Sequence, residues 1–370
     1  MDSESWIVWD AFGFPESYSG ISTYALETSQ ALANLKLFPT FVLSQQSPLQ
    51  GRVPASLIVR APSFALRLKL MWPWLVYRHL VEKKPKSDFI FHGISNFNLS
   101  SLVANLPGCR PILTVHDVIP LLTKEGRKSL YGRQMHFMLP PALRLARRVV
   151  CVSSWTKNCL LELYPWLDEQ KLQVIPNGCP KHKSLPRVLE HESARIKVLC
   201  VTRYEKYKKI DLLLKIATAL PEVDLTLVTN KQGGRYVEKS KEKDVLGSRL
   251  KVFCHLTQEE LFSLYTRTHV YLHPSEFEGF GLPALEALSF GCCVVFRLGS
   301  GGDDYLKTPL CFGVKGDNVD EWCNAVRKSY ALSRQPETKA NFPSSTPFLP
   351  TWEIAAGHLK KLYNECLSEK

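Results

Sequence analysis

Two glutamates, Glu278 and Glu286, stand with seven residues between them in the stretch His273–Gly291, HPSEFEGFGLPALEALSFG. In a glycine-rich turn, such a pair could accept hydrogen bonds from the hydroxyls of a sugar or a ribose. The turn itself suits an anion. The apolar run Val270-Tyr271-Leu272 reads as the end of a buried strand, and Pro283 falls in the first turn of a helix, where no N–H is needed. Gly291 can take the left-handed cap that ends this helix. A strand, a glycine turn and a helix N-terminus present free N–H groups and the positive end of the helix dipole to a phosphate. Gly279 and Gly281 let the backbone close on it. Carboxylates facing a diphosphate would repel it, so the glutamates make sense on hydroxyls to either side. On spacing alone a plainer reading stays open, in which a loop glutamate and a helical glutamate merely complement the helix dipole.

Four further stretches carry candidate groups. In VTRYEKYKKIDLLLKIA, Arg203 and Lys208 follow a strand and precede a helix, where they could neutralise charge developing on a diphosphate leaving group. The neighbouring Lys206 and Lys209 read as a solvated basic patch. In ILTVHDVIP, His116 and Asp117 fall at the carboxyl end of a strand, where a ligand-binding residue belongs; a purely structural histidine is the alternative. Gly20, in SYSGISTYALE, joins the first strand to the first helix and marks either a second anion site or a tight turn. From Ser63 to Lys86, aromatic residues mix with many basic ones against one acid, Glu82. That composition fits contact with an anionic membrane through Arg67, Lys69, Trp72, Trp74, Arg78, Lys83 and Lys84; a core helix with a basic outer face fits as well.

These groups need strands that end at a common edge. Ile7–Trp9, Phe41–Leu43, Phe89–Phe91, Ile112–Val115 and Val149–Val152 are short apolar strands in the first half. Val198–Val201, Leu225–Val228, Val252-Phe253, Val270–Leu272 and Val294–Phe296 repeat the scheme in the second. Continuous apolar strands separated by helices predict an α/β chain with two doubly wound parallel sheets, each covered on both faces. Asn177–Ile196 reads as a linker, 331–351 as a long surface connection and Trp352–Leu367 as a last amphipathic helix. Thr257 and Glu260 form a capping box that starts a helix at Gln258.

At 370 residues, 45% of them apolar and 22% charged, the chain suits two globular domains and excludes a disordered one. No apolar run is long enough to span a bilayer and the N-terminus lacks a signal-peptide pattern, so the expected location is cytoplasmic, peripheral on the inner membrane face included. Eleven scattered cysteines without metal-ligand spacing predict buried thiols, with neither disulfides nor a metal site. A net charge of +12 predicts anionic partners.

PSEFEGFGLPALEALSFG closely resembles the Glu-x7-Glu signature of the retaining glycosyltransferases of family 4, and the resemblance covers most of the chain. VTRYEKYKK is similar to the family's Arg-x4-Lys element, SYSGIS to its first glycine-rich loop, and TVHDVIP to a subset rich in mannosyltransferases. The resemblance implies a GT-B fold, with two Rossmann-like domains facing a cleft. Residues 1–180 would form the acceptor-side domain, 181–350 the nucleotide-sugar domain, and 351–370 a helix returning to the first. It implies Arg203, Lys208 and the backbone of Phe280, Gly281 and Leu282 on the diphosphate, with Gly20 near it. Glu278 and His116 would meet the donor sugar, and Glu286 the ribose. The implied reaction moves a hexose, mannose from GDP-mannose as the best match, to a glycan or lipid-linked acceptor with retention. No metal or cofactor is implied, and the setting would be bacterial envelope glycan synthesis. After the motif, VVFRLGSGGDDYL departs from the family, with Phe296-Arg297 where small residues are usual and Asp303 or Asp304 where a glutamate is usual.

Three other function classes are weaker. Gly279-x-Gly281 and Gly299-x-Gly301 superficially resemble the loops of a nicotinamide-dependent oxidoreductase, but neither completes Gly-x-Gly-x-x-Gly. A non-catalytic sugar- or membrane-binding protein of the same fold would keep the same elements. Nucleic-acid binding is not expected, because no recognisable module interleaves aromatic with basic residues.

Overall fold

The computed structural model describes residues 6–11, 20–44, 47, 51–53, 55–59, 72–83, 88–179, 195–335 and 349–369. The chain divides into two compact units, Met1–Gly178 with Pro350–Lys370, and Cys179–Leu349. Each is an all-parallel sheet with helices between its strands, which is the GT-B architecture of two doubly wound halves.

In the first unit β1 (Ile7–Asp10), β2 (Thr40–Ser44), β3 (Ala55–Val59), β4 (Phe89–Gly93), β5 (Cys109–Val115), β6 (Arg148–Cys151) and β7 (Leu172–Val174) lie in the order β3-β2-β1-β4-β5-β6-β7. β1 and β4 are buried along their whole length, which is why they read as unbroken apolar runs. The strand order reverses between them. Asp10, at the carboxyl end of β1, accepts the Trp72 indole N–H at 3.0 and 3.1 Å. The helix Trp72–Lys83 buries Trp72, Val76 and Leu80, spaced four residues apart on one face. Trp72 is therefore a core residue, contrary to its expected place at a membrane. Trp74 and Arg78 do face outward, with Arg78 paired to Glu82 at 3.0 Å, and Lys83 is exposed. Arg67, Lys69 and Lys84 lie outside the described residues.

The last helix, Trp352–Ser368, packs on the first, Gly20–Asn34, and on β4. A fully buried polar chain fastens it there. The Trp9 indole N–H donates to the Tyr363 hydroxyl at 3.0 Å, and that hydroxyl lies 2.7 Å from His92 Nδ1. His92 Nε2 is 2.7 Å from the Thr114 hydroxyl, which lies 3.3 Å from the Tyr24 hydroxyl. Burial, reinforced by the neighbouring His116, lowers His92 to about 3, so at neutral pH one ring nitrogen donates and the other accepts.

In the second unit β8 (Ile196–Val201), β9 (Val223–Val228), β10 (Leu250–Phe253), β11 (Val270–His273), β12 (Cys293–Arg297) and β13 (Cys311–Val314) lie in the order β10-β9-β8-β11-β12-β13. The order reverses between β8 and β11. The expected capping box closes as read, with Thr257 accepting the Glu260 N–H and Glu260 accepting the Thr257 N–H. β3, β7 and β13 were not foreseen, and residues 331–333, expected in a surface connection, still belong to the helix Val319–Ser333. Residues 336–348 of that connection and residues 180–194 of the linker lie outside the described residues. No helix among the described residues is long and apolar enough to cross a membrane.

Two outcomes follow for the first unit. Tyr363→Phe leaves the Trp9 N–H and a His92 nitrogen unpaired inside the core and should cost roughly 1–3 kcal/mol, seen as a lower urea midpoint. His92 also makes the unit acid-sensitive. Below the unfolded value, about 6.5, the unfolded chain takes up a proton that the folded chain refuses, so stability falls as pH falls toward the folded value. The slope from this group is about 1.4 kcal/mol per pH unit, measurable by urea unfolding at pH 7 and pH 5.

Candidate functional site

In open parallel sheets, ligands bind beyond the carboxyl ends of the strands where the order reverses. In the second unit those strands are β8 and β11. Their loops are the two stretches singled out above, Thr202–Lys209 and Pro274–Gly281. The loop after β11 is held from behind. Gly301 donates its N–H to the Glu278 carbonyl at 2.9 Å, and a Cβ on Gly301 would stand 2.1 Å from the Gly279 carbonyl oxygen. The Tyr305 hydroxyl is shared between the carbonyls of Phe280, at 2.6 Å, and Gly281, at 2.9 Å. In a trans peptide the N–H points opposite to the C=O. Anchoring these two carbonyls on Tyr305 therefore turns the N–H groups of Gly281 and Leu282 the other way. Gly281 has φ +90°, a left-handed conformation that favours glycine, and precedes the helix Leu282–Ser289. Among the described residues no acceptor meets the Gly281 and Leu282 N–H groups. Ala284 and Leu285 spend theirs on the Gly281 carbonyl.

Glu278, expected on a sugar, is more constrained than its loop position suggested. Its Oε1 accepts from the Lys208 ammonium at 2.6 Å and lies 2.9 Å from His273 Nε2. The histidine N–H does not line up on that oxygen, so the contact is an electrostatic one. Burial alone would raise the carboxyl, but Lys208 and then His273 outweigh it and hold the group well below the usual carboxylate range. Glu278 is thus ionised, with Oε1 spoken for and Oε2 without a partner among the described residues. Lys208, expected on the diphosphate, neutralises this carboxylate. Arg203 is exposed, and no ion pair holds it among the described residues, so its guanidinium is the available cation of the pair.

Lys209 is not the solvated residue that was expected. It has φ +55° and reaches Asp317 at 2.9 Å and Glu276 at 3.5 Å. Arg297 pairs with the same Asp317 and donates from Nε to the Pro274 carbonyl at 3.0 Å. The departure from the family at Arg297 is therefore a brace that ties the end of β12 to the start of the loop. Glu286, on the helix, accepts the Tyr265 hydroxyl at 3.1 Å through Oε2 and remains half-buried.

His116 and Gly20 belong to the first unit. His116 directly follows β5 and is buried, its ring edge-on to Tyr24 at 4.9 Å between centroids. Its Nε2 lies 3.0 Å from the Ile94 carbonyl, which can only accept, so Nε2 carries the proton. Burial lowers the ring to about 4, leaving it neutral with a lone pair on Nδ1. Asp117 Oδ1 accepts the Ile119 N–H at 3.0 Å, a loop cap. Gly20 opens the first helix and is exposed.

His273, Tyr305, Gly301 and Arg297 were not assigned from sequence. Only Gly299 and Gly301 of GSGG draw notice in the sequence, as a superficial dinucleotide-loop resemblance. The geometry makes two outcomes measurable. Glu278→Gln should lower stability at neutral pH. The depressed carboxylate contributes fully above the unfolded value of about 4.3, and that contribution is lost as pH falls below it, so the gap to wild type should close in acid. Gly301→Ala should push the Glu278–Gly281 backbone aside and destabilise the second unit, seen as a lower urea midpoint.

Comparisons with known proteins agree with the fold. The family model described as Glycosyltransferase Family 4 matches residues 18–182, and the one described as Glycosyl transferases group 1 matches 182–340. The O-antigen chain mannosyltransferase B of Escherichia coli is 27% identical over 311 residues, 75% of this chain and 78% of the relative. A phosphatidylinositol N-acetylglucosaminyltransferase subunit of Schizosaccharomyces pombe is 24% identical over 60% of this chain, and the match spans about half, 49%, of that relative's length. Among solved structures, a glycosyltransferase of Rickettsia africae superposes with TM-score 0.73 at 16% identity, covering 99% of this chain and 100% of that one. Sucrose-phosphate synthase of Thermosynechococcus elongatus does so with TM-score 0.75 at 17% identity, over 99% and 100%. With both halves matched in order and the phosphate-type turn built at the reversal of the second sheet, this chain belongs to the GT-B glycosyltransferases of the family-4 type.

Proposed function

We propose that the protein transfers a hexose, with retention of anomeric configuration, from a nucleotide diphosphate sugar to a glycan or lipid-linked acceptor. The carrying observation is local to the second unit. Two outward N–H groups, of Gly281 and Leu282, stand beside the unpartnered Oε2 of an ionised Glu278. The amides and the Arg203 guanidinium suit the diphosphate and stabilise the charge it gains as it leaves. Glu278 Oε2 suits a hydroxyl of the transferred sugar, and Glu286 a hydroxyl of the ribose. Lys208 keeps Glu278 ionised and aimed. In the first unit the bare Nδ1 of His116 can accept from a sugar hydroxyl. Mannose from GDP-mannose is the donor proposed, supported by the mannosyltransferase of E. coli and the TVHDVIP string. The scheme needs no metal or other cofactor, because cationic side chains and amides meet the leaving group.

Thermal unfolding against nucleotide diphosphates and nucleotide sugars, with EDTA throughout, tests the reading. One nucleotide at a hundredfold its Kd should stabilise by about 2.7 kcal/mol, and Glu286→Ala should abolish the shift. Silence from every nucleotide by the folded protein would overturn the reading in favour of a non-catalytic binding protein. Turnover with the stabilising donor then identifies the sugar, and the anomeric signal of the product reports retention or inversion. Arg203→Ala should lower kcat about a hundredfold and leave Tm unchanged, because the side chain is exposed and unpaired.

A further inference from the structure

The helix Leu130–Leu145 buries Gly132, Met135, Leu139, Ala142 and Leu143 against the first unit. Its opposite face is unusual. Leu130 is 66% exposed and Phe137 74% exposed, and the two lie two turns apart on one stripe. Arg133 and Arg144 flank that stripe and are exposed too. Immediately before it, Lys124, Arg127 and Lys128 are exposed on the short helix Lys124–Lys128. Between residues 124 and 144 the only acid is Glu125. Among the described residues no ion pair neutralises Lys124, Arg127, Lys128 or Arg133; Arg127 Nε donates to the Leu121 carbonyl at 2.6 Å and keeps its charge. At the far end the Arg144 guanidinium lies 4.3 Å over the ring of Trp166, itself 45% exposed.

We infer that this face docks on an anionic lipid bilayer. Large apolar side chains held out into water among five exposed basic residues, against the single acid Glu125, mark a partner that is both apolar and negatively charged. A lipid surface is both at once, with acyl chains for Leu130 and Phe137, headgroup phosphates for the arginines and lysines, and an interfacial site for Trp166. A second copy of the chain is a poorer fit, because a two-fold contact would set five basic residues against the same five. Nucleic acid would satisfy the charge but has no place for an exposed leucine and phenylalanine. The helix Trp72–Lys83, where membrane contact was expected, offers less. Its Trp72 is buried, and Arg78 is paired to Glu82. The docking face stands on its own residues and does not require the transferase reading.

The full chain can be floated with vesicles of phosphatidylcholine alone and with about a third phosphatidylglycerol. Binding to the anionic vesicles that weakens with salt and is nearly absent on neutral ones is expected. Phe137→Asp should reduce it about tenfold or more, and Arg133→Gln by about fivefold. Both positions are exposed, so Tm should not change. Either of two results would overturn the inference: no binding to anionic vesicles at low salt, or binding untouched by Phe137→Asp but abolished by Trp74→Asp with Arg78→Glu. A dimer by light scattering that Phe137→Asp converts to monomer would also overturn it, in favour of self-association. Nucleotide shifts are read separately, so failure here leaves the transferase reading standing.

Discussion

A carboxylate shielded from water is tolerable only with compensation, and the loop after β11 is built around that constraint. Glu278 would be forced toward its neutral form by burial if Lys208 and His273 did not surround it. Lys208 comes from the loop after β8 and His273 from the end of β11, so one ion cluster ties together the two loops at the reversal of the sheet. The second tie is purely hydrogen-bonded. Tyr305 and Gly301, both beyond β12, seize the carbonyls of Glu278, Phe280 and Gly281 and so fix which way the amides face. Charge selects the carboxylate's state, and backbone geometry selects the direction of the donors. Neither would serve without the other.

Much of the scaffold was legible in the sequence because parallel strands buried on both faces leave unbroken apolar runs. Ten of the thirteen strands among the described residues announce themselves in this way. The three that do not are β3, β7 and β13, which lie at the edges of the two sheets. β7 and β13 are only partly buried and contain Gln173 and Gly313, so neither reads as apolar. The turn Phe277–Gly281 and the capping residues were legible too, since glycine, proline and Thr-x-x-Glu carry their conformations with them. Side-chain partnerships were not. Nothing in VTRYEKYKKI distinguishes Lys208, held by a buried carboxylate, from exposed Arg203, or from Lys209, tied to Asp317 more than a hundred residues away. Trp72 misled for the same reason. Its basic surroundings lie along the chain, while its partner Asp10 comes from another strand.

The departure from the family after the core motif gains a physical sense. Arg297 occupies a position where small residues are usual, yet it is buried with its guanidinium over the Trp322 ring and its Nε on the Pro274 carbonyl. Asp303 accepts from Gly299 and closes the turn that presents Gly301 to the loop. The substitutions stiffen the back of the site and leave its ligand-facing atoms alone. The polar chain Trp9–Tyr363–His92–Thr114 does the equivalent work behind His116 in the first unit, through atoms shut off from water.

That chain also bears on the order of events during synthesis. Trp9 and Tyr363 are 354 residues apart, and the helix that carries Tyr363 follows the whole of the second unit in the chain. The second unit is continuous in sequence, so it can emerge from the ribosome and close its sheet while the first still lacks a piece. Until Trp352–Ser368 arrives, the apolar flank of Gly20–Asn34, the Nδ1 of His92 and the indole nitrogen of Trp9 lack the partners they have in the finished fold. The unit begun before the other is therefore completed after it, and a nascent chain presents the unsealed core of the first unit throughout the synthesis of the second.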